Sequence, residues 1–351
     1  MQGVLVSENY RLLPLVAGLG AFAVSVVLVP LVRHFARQLN AVDVPGHGKM
    51  HGRATPYFGG VAIALAAVAV PLLLRGWTAE GAYVLIGALL VGLVGLVDDL
   101  RTVHPYLRLV LELVAASIAV AGGARIDVFP DWIDWVVSIV LIVIVTNSFN
   151  LLDNMDGVAG AIAVASSGAL LIAALLEHQA LVGALAASVL GGVLGFLVYN
   201  WHPASIFMGD AGSLFIGFLI SVTALKLRTS APPVESALSV GFILAVPLFD
   251  TGLVIVSRVH AKRSVFQGGK DHTSHRLNQL GLPIRWVAAS LAFITFVAAG
   301  SGVAIARNGV DPGPACLVLL VVVLGSLVPL LRVRVYAHAH ASRADSRRDV
   351  K

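Results

Sequence analysis

Apolar stretches of about 17 to 23 residues recur from one end of this chain to the other, and each is long enough to cross a bilayer as a helix. Of the 351 residues, 58% are hydrophobic and only 12% are charged, whereas a soluble domain carries about 25% charged residues. A chain this apolar cannot cover a water-facing surface. The composition therefore predicts an all-α integral membrane protein.

Eleven of these stretches are predicted to be transmembrane helices. No gap between them is long enough for a soluble domain, so residues 1–335 are predicted to form a single polytopic membrane domain, followed by a basic tail at 336–351. The predicted spans are 12–33, 59–75, 81–97, 106–123, 132–150, 158–176, 180–199, 212–228, 236–257, 284–306 and 313–333.

Lys and Arg residues are concentrated after the first, third, ninth and eleventh stretches. Eighteen of the 24 lie there, and the positive-inside rule places that side in the cytoplasm, with the amino terminus outside and the carboxyl terminus inside. The net charge of +5 is interpreted as a topology and anionic-lipid signal, and no nucleic-acid partner is expected. The other six basic residues are Arg11, Arg75, Arg125, Lys226, Arg228 and Arg307.

Segments that follow odd-numbered stretches all emerge at the predicted cytoplasmic face of the cell membrane. Four of them carry polar clusters, at 98–99, at 147–156, around 210 and at 272–276. Because they emerge on the same side, side chains far apart in the sequence can meet there. The order of the spans thus predicts one site at this face of a multi-pass protein.

Two acidic residues, Asp98 and Asp99, close the third apolar stretch. Adjacent carboxylates repel one another, and at a lipid boundary they are costly unless a cation or an arginine offsets their charge. A solvated helix end is the alternative, but acids at the carboxyl end of a helix oppose its dipole. A functional role is therefore favoured.

The fifth stretch runs into a segment with five Asn and Asp side chains, where a helix cap needs one. Carboxylate and amide oxygens at a membrane face suit Mg²⁺, which keeps several waters and shares its shell with phosphate. The spacing is not that of an EF-hand calcium loop. The segment reads Asn147-Ser-Phe-Asn150-Leu-Leu-Asp153-Asn154-Met-Asp156-Gly157.

Asp210 lies between two glycines, Gly209 and Gly212, just before the eighth stretch. The glycines let the backbone approach a ligand closely, and Asp210 lies where a helix amino terminus would bind an anion or support a metal. The alternative is that Asp210 only caps the helix.

The long basic loop after the ninth stretch carries His272 and His275 beside Lys270 and Arg276. Two histidines could bind zinc, but no second ligand pair accompanies them. Histidines beside Lys and Arg instead indicate hydrogen-bond donors to a diphosphate or nucleotide. The alternative is an ordinary solvated loop.

Three further residues have two interpretations each. Lys49 and His51, ahead of the second stretch, could hold an anionic substrate, but a basic loop that sets topology explains them nearly as well. Asp250, inside the ninth stretch, is a functional candidate because acids within spans are costly. A structural hydrogen bond between helices is equally compatible with it.

Together these segments resemble the polyprenyl-phosphate N-acetylhexosamine-1-phosphate transferase family, glycosyltransferase family 4. The family pattern has an Asp-Asp pair, Asn-x-x-Asn-x-x-Asp-x-x-Asp-Gly, Phe-x-Gly-Asp-x-Gly-Ser and a histidine motif, and all four occur here in order over nearly the whole chain. The chain departs from the pattern at Asn154, where Gly is usual, and at Ser274. The segment from His272 to Arg276 is more similar to the undecaprenyl-phosphate N-acetylglucosamine-1-phosphate transferase branch than to the peptidoglycan branch.

The resemblance implies that a polyprenyl phosphate attacks a UDP-N-acetylhexosamine, with UDP-N-acetylglucosamine as the expected donor, and that UMP is released. This would be the first membrane step of a cell-envelope glycan such as lipopolysaccharide or teichoic acid. The implied metal is Mg²⁺, for which Mn²⁺ could substitute, held by Asn150 and Asp210. The implied catalytic residues are Asp98, Asp99, Asp153 and Asp156. The residues expected to bind substrate are Lys49, His51, Asn147, Arg258, His272, His275 and Arg276.

Three alternatives stay open at this point. The peptidoglycan branch, which uses UDP-MurNAc-pentapeptide, shares the same motifs. An ion-coupled transporter would place its site at the bilayer midplane and show paired repeats, and only Asp250 favours that. A structural scaffold gives no reason for the loop carboxylates. The sequence is compatible with a homodimer.

Overall fold

A computed structural model shows an almost entirely helical protein and describes residues 2–44, 54–75, 79–265, 268–333 and 335. Within these ranges thirteen helices accompany one two-stranded sheet. The helices are α1 (Gln2–Gln38), α2 (Gly59–Arg75), α3 (Ala79–Leu100), α4 (Pro105–Ala121), α5 (Asp131–Leu152), α6 (Val158–Leu176), α7 (Ala180–Asn200), α8 (Asp210–Lys226), α9 (Pro233–Ile243), α10 (Ala245–His260), α11 (Thr273–Gln279), α12 (Ile284–Ala306) and α13 (Pro312–Arg332).

Each of the eleven predicted spans coincides with a helix or, at 236–257, with a pair of helices. Among the described residues, seven helices are long and apolar enough to cross a membrane, and the pair α9 and α10, bent by 67°, makes eight if the pair counts as one span. Helices α2, α4 and α8 have 17 residues each, which is about 25 Å of helix. The all-α, multi-pass prediction is confirmed, whereas the count of eleven and the orientation stay predictions.

The ninth predicted span is not one continuous helix, because the chain bends between α9 and α10. Pro247 lies one turn after the last residue of α9, and a proline has no N–H to donate to the carbonyl four residues earlier. That carbonyl belongs to Ile243, and it accepts a hydrogen bond from Ser166 Oγ of α6 at 3.2 Å. The break therefore has a local cause, and a neighbouring helix satisfies the freed carbonyl.

Helix α8 lies at the centre of the bundle, and every residue from Ala211 to Lys226 is buried. Glycines let the neighbouring helices approach its amino-terminal turn. A Cβ on Gly60 of α2 would lie 2.1 Å from the backbone nitrogen of Gly212, and a Cβ on Gly95 of α3 would lie 2.4 Å from the carbonyl oxygen of Asp210. The first turn of α8, with Asp210, is thus fixed between α2 and α3 by direct backbone packing.

We expect Gly60→Ala to destabilise the protein by about 1–3 kcal/mol, the usual cost of overpacking, because a backbone atom cannot move aside for the new methyl group. A lower midpoint of thermal unfolding in detergent would show it. Gly168→Ala is the matched control, since a Cβ there meets nothing within 4 Å, and its midpoint should stay equal or rise. Equal midpoints for Gly60→Ala and the unsubstituted protein would contradict the close crossing.

A small antiparallel sheet follows α1. Strand β1 (Val42–Asp43) pairs with β2 (Thr55–Pro56), with Val42 opposite Pro56. The Pro56 carbonyl accepts from the backbone N–H of Phe207 at 2.8 Å, in the loop before α8. The sheet therefore holds Pro56 against the loop that precedes Asp210. The predicted site residues Lys49 and His51, which come between the two strands in the sequence, are outside the described residues. The predicted tail at 336–351 is also outside them.

Candidate active site

A cavity of about 400 Å³ lies at one end of the bundle, where α3, α5, α7 and α10 finish and α8 begins. We call this end of the bundle the motif end. The cavity walls come from segments far apart in the chain, and most of the side chains that line the cavity are polar. They include Asp43, Tyr57, Asp153, Asp156, Asn200, Asp210, Lys270 and His275.

Beside the cavity, Arg108 in the first turn of α4 joins three acidic side chains. Its Nη1 donates to Asp98 Oδ2 and to Asp210 Oδ2, both at 3.0 Å. Its Nε donates to Glu112 Oε1 at 3.2 Å, one helical turn away. A guanidinium has its donors in a rigid fork, so this one side chain fixes carboxylates from α3, α4 and α8 relative to one another.

Two asparagines complete the set around Arg108. Its Nη2 donates to Asn147 Oδ1 and to Asn150 Oδ1, both at 3.0 Å. Asn150 Nδ2 donates in turn to Asp210 Oδ1 at 2.8 Å, and Asn147 Nδ2 donates to Glu112 Oε2. Both ends of the Asn150 amide are therefore engaged within the protein, and Asn150 orients Asp210. Its predicted role as a metal ligand is not shown by this geometry.

The two acids that close α3 have different surroundings. Asp98 accepts from Arg108 and from the backbone N–H of Val103 at 2.7 Å. Asp99 accepts from the backbone N–H groups of Asp210 and Ala211 at 2.8 and 3.0 Å, which are donors left open at the start of α8. Asp99 therefore joins α3 to the amino terminus of α8, a role for which a carboxylate is well suited.

Asp156 holds the loops around the cavity together. Its Oδ2 pairs with His202 Nδ1 at 2.7 Å and accepts from the backbone N–H of Ala204 at 3.0 Å. Nearby, Asn200 Oδ1 accepts from the Gly157 N–H, and Asn200 Nδ2 donates to the Ile206 carbonyl. The segment after α5 and the segment after α7 are thus joined, and Asp156 remains part of the cavity wall.

Asp153 ends α5 and is half-buried in the cavity wall. Burial, followed by the negative charges of Asp210 and Asp99, raises the pKa of its carboxyl to about 7. Among the described residues, no group of three His, Cys, Asp or Glu side chains forms a ready metal site. The donor chemistry nevertheless fits Mg²⁺, because carboxylate oxygens of Asp153 and Asp210 share one polar cavity wall and repel each other. Magnesium stays a prediction.

We expect Asp153→Asn to raise the midpoint of thermal unfolding when no divalent cation is present. The folded-state pKa lies above the ordinary value, so ionised Asp153 destabilises the fold. This contribution is absent below about pH 4 and complete above about pH 7. At pH 8 the gain should be roughly 2–4 °C for each kcal/mol removed, and it should vanish as the pH falls towards 4.

Magnesium provides the second half of this test. Adding Mg²⁺ at pH 8 should raise the midpoint of the unsubstituted protein more than that of Asp153→Asn, because the cation offsets the same repulsion. Asp131→Asn is the control, since Asp131 is exposed at the start of α5, the opposite end of that helix. An Mg²⁺ effect of equal size in all three proteins would show that the cation does not bind beside Asp153.

The histidine motif begins at the amino end of α11, where Asp250 of α10 holds it. Asp250 Oδ2 pairs with His272 Nδ1 at 2.9 Å, and Oδ1 accepts from the Thr273 N–H at 2.7 Å. All three residues are buried. This favours the interpretation of Asp250 as a structural hydrogen-bond partner over a transport site.

His275 is the histidine that lines the cavity. Burial, together with the positive charges of His272 and Lys270, lowers its pKa to about 4. Near pH 7 the imidazole is therefore neutral, and it retains one ring N–H that can donate. Ser274 Oγ donates to Asn154 Oδ1 at 2.6 Å, so both departures from the family pattern lie in one contact between α11 and the segment after α5.

Two predicted substrate-binding arginines are buried in contacts within the protein. Arg258 donates from Nε and Nη2 to the two carboxylate oxygens of Asp271, at 2.9 and 3.1 Å, and from Nη1 to the Val265 carbonyl. Arg276 donates to backbone carbonyls and to Ser257 Oγ. Their contact with a substrate is not shown, and both residues position the histidine motif.

Arg108 and Glu112 are two of the site residues that no sequence motif marked; Asp43, Tyr57, Asn200 and His202 are others. Arg108 and Glu112 lie four residues apart in an apolar stretch, a spacing that places them on one face of a helix. Charged residues inside a span are functional candidates by default, so this signal was present. Arg108 is one of the 18 basic residues on the predicted cytoplasmic side, and Glu112 belongs to none of the four motifs.

The sequence of this chain is similar to a family profile and to named bacterial transferases. A family profile described as glycosyl transferase family 4 matches residues 82–228. A probable undecaprenyl-phosphate N-acetylglucosaminyl 1-phosphate transferase of Bacillus subtilis is 30% identical over 298 residues, which cover 79% of this chain and 82% of that protein. A decaprenyl-phosphate N-acetylglucosaminephosphotransferase of Mycobacterium leprae is 30% identical over 363 residues, with 90% of each chain covered. A phospho-N-acetylmuramoyl-pentapeptide-transferase of Bacillus cytotoxicus is 31% identical over 237 residues, which cover 59% of this chain and 73% of that protein.

Proposed function

This chain belongs to glycosyl transferase family 4, and from that premise we propose that it transfers N-acetylhexosamine 1-phosphate from a UDP-sugar to a polyprenyl phosphate, with release of UMP. The relatives above carry such activities in their names. The observation that carries the proposal is the cavity at the motif end, which is lined by four acidic side chains together with Lys270 and His275. A water-soluble donor and a lipid acceptor have to meet at such a membrane interface.

The proposed reaction is an exchange of phosphate partners. An oxygen of the lipid phosphate forms a bond to the β-phosphorus of the UDP-sugar. The bond from that phosphorus to the oxygen it shares with the α-phosphorus breaks, and UMP leaves with this oxygen. The lipid retains the β-phosphate and the sugar as a diphosphate. No oxidant or further group is needed.

The protein's part in this reaction is positioning and electrostatics, as expected for phosphoryl transfer. Arg108 and Asn150 hold the Asp210 carboxylate in place before any substrate arrives. A preorganised group of this kind needs no rearrangement as charge develops. Bound Mg²⁺ would neutralise charge on the diphosphate, held by Asp210 and Asp153 with Asn150 orienting Asp210.

Roles for the other acids follow from their partners. Asp98 keeps contact with the Arg108 guanidinium, so it is suited to orient the lipid phosphate through that cation. Asp99 is engaged by the start of α8, and we assign it to positioning Asp210. His275 and Lys270 line the cavity, and we assign them to the donor substrate as a hydrogen-bond donor and a positive charge. The excess of Lys and Arg supports placing this face in the cytoplasm.

A donor panel tests the proposed function. Purified protein with a polyprenyl phosphate and Mg²⁺ should release UMP from UDP-N-acetylglucosamine and not from UDP-MurNAc-pentapeptide, because the His272–Arg276 segment lacks the consecutive histidines of the peptide-using branch. Asp153→Asn serves as the inactive control. Efficient turnover of the pentapeptide donor would assign the chain to the peptidoglycan reaction. The absence of UMP release from every UDP-sugar would refute the transferase proposal.

A further inference from the structure

Helix α13 is fixed to the rest of the protein at its carboxyl end. Along its 21 residues, only Leu330 in the last turn is buried. Only 6% of its most apolar 18-residue stretch is buried inside the protein. It packs against α10 and α12. Whatever holds the last turn of α13 therefore has a large influence on where this helix lies.

Arg276 makes that contact from α11. Its Nη1 donates to the carbonyl oxygens of Leu330 and Val333, at 2.6 and 3.1 Å. The Leu330 carbonyl also accepts from the backbone N–H of Val333 at 3.1 Å, but carbonyls at the end of a helix keep a free lone pair and carry partial negative charge. A buried guanidinium satisfies both needs with one group, and Arg276 is only 1% exposed.

The other nitrogens of Arg276 face the histidine loop and α10. Nε donates to the Asp271 carbonyl at 2.8 Å, and Nη2 donates to Ser257 Oγ at 2.7 Å. The Asp271 carboxylate is held by Arg258. One planar group therefore contacts α10, α13 and the start of the histidine motif, and it directly follows His275 of the cavity wall.

We propose that Arg276 is a positioning residue that couples the carboxyl end of α13 to the cavity, so that this outer helix sets the geometry of His275. The expected effect on catalysis rests on the proposed function. The coupling between α13 and the histidine motif rests only on the contacts of Arg276. Arg276 acts through α11 and the Asp271 carbonyl. Lysine cannot replace it, because its one nitrogen cannot occupy the three positions from which Nε, Nη1 and Nη2 donate.

Arg276→Lys tests the link in the full-length protein in lipid nanodiscs. We expect faster amide hydrogen exchange in both 271–279 and 325–333, and kcat/KM for the UDP-sugar at least about tenfold lower with the KM for polyprenyl phosphate unchanged. Arg332→Lys is the matched control, because Arg332 is exposed in the same last turn of α13. Unchanged exchange at 325–333 in Arg276→Lys would overturn the proposal.

A pair of substitutions in α13 tests the same link from the other side. Leu330→Ala removes a buried side chain that is not part of the cavity wall, and it should speed exchange at 271–279 and lower kcat/KM. Leu320→Ala removes a side chain that is 52% exposed, and it should change neither. Equal behaviour of the two variants would defeat the coupling. Exchange coupling in a protein that releases no UMP would instead contradict the proposed function alone.

Discussion

Asp210→Asn should lower turnover by about 100- to 1000-fold, the usual cost of removing one preorganised electrostatic group. Asp210 accepts from Arg108 Nη1 and from Asn150 Nδ2. An amide keeps the shape of the carboxylate, but it loses the charge and presents an NH₂ group towards one of these two donors. Initial rates of UMP release under saturating substrates measure the effect, and circular dichroism checks that the helices persist.

Asp127→Asn is the control for this experiment. Asp127 is a half-exposed acid that also pairs with an arginine, Arg228, but it lies in the loop between α4 and α5, at the other end of those helices. Its substitution should leave turnover within about twofold. If Asp210→Asn kept most of its activity at ordinary Mg²⁺ concentrations, neither the metal site nor the charge network could depend on Asp210.

Arg108→Lys should lower kcat/KM at least about 100-fold while the protein remains folded. Lysine keeps the positive charge among the three acids, but one ammonium cannot reproduce the contacts with Asp98, Asp210 and Glu112. Losing two charge-assisted hydrogen bonds of about 1.5 kcal/mol each corresponds to roughly two powers of ten in rate. Steady-state kinetics for both substrates provide the measurement.

Arg101→Lys is matched to this change, because Arg101 is an exposed arginine only seven positions away at the same end of the bundle. Arg101→Lys should leave kcat/KM nearly unchanged. Arg108→Gln separates charge from geometry: it leaves Glu112, whose side chain is buried, without its cation, so this variant should also unfold at a lower temperature. Full activity in Arg108→Lys would show that only positive charge is needed there.

The helices could be predicted from the sequence because hydropathy acts locally. A run of apolar residues long enough to cross a bilayer has to satisfy its backbone hydrogen bonds internally, and a helix does so without help from other segments. The stretches at 158–176 and 284–306 therefore match α6 and α12 to the residue. The break before Pro247 has a local cause as well, but the carbonyl of Ile243 is satisfied only because Ser166 arrives from another helix.

The motifs could be predicted for a related reason. Asp98, Asn150, Asp210 and His275 stand out because polar residues next to apolar spans are costly, and the order of spans brought them to one end. Their individual roles could not be predicted. Asp99 and Asp98 are neighbours in the chain, yet one accepts from the start of α8 and the other from Arg108.

The sequence by itself thus determined the membrane class, the helices and the acids, asparagines and histidines of the four motifs at the motif end. Tertiary structure alone decided which charges compensate one another. The partners of Arg108 come from α3, α4, α5 and α8, and those of Arg276 from α10, α13 and the loop before α11. Hydrogen bonds act over about 3 Å, so such partners are fixed only once the helices have packed.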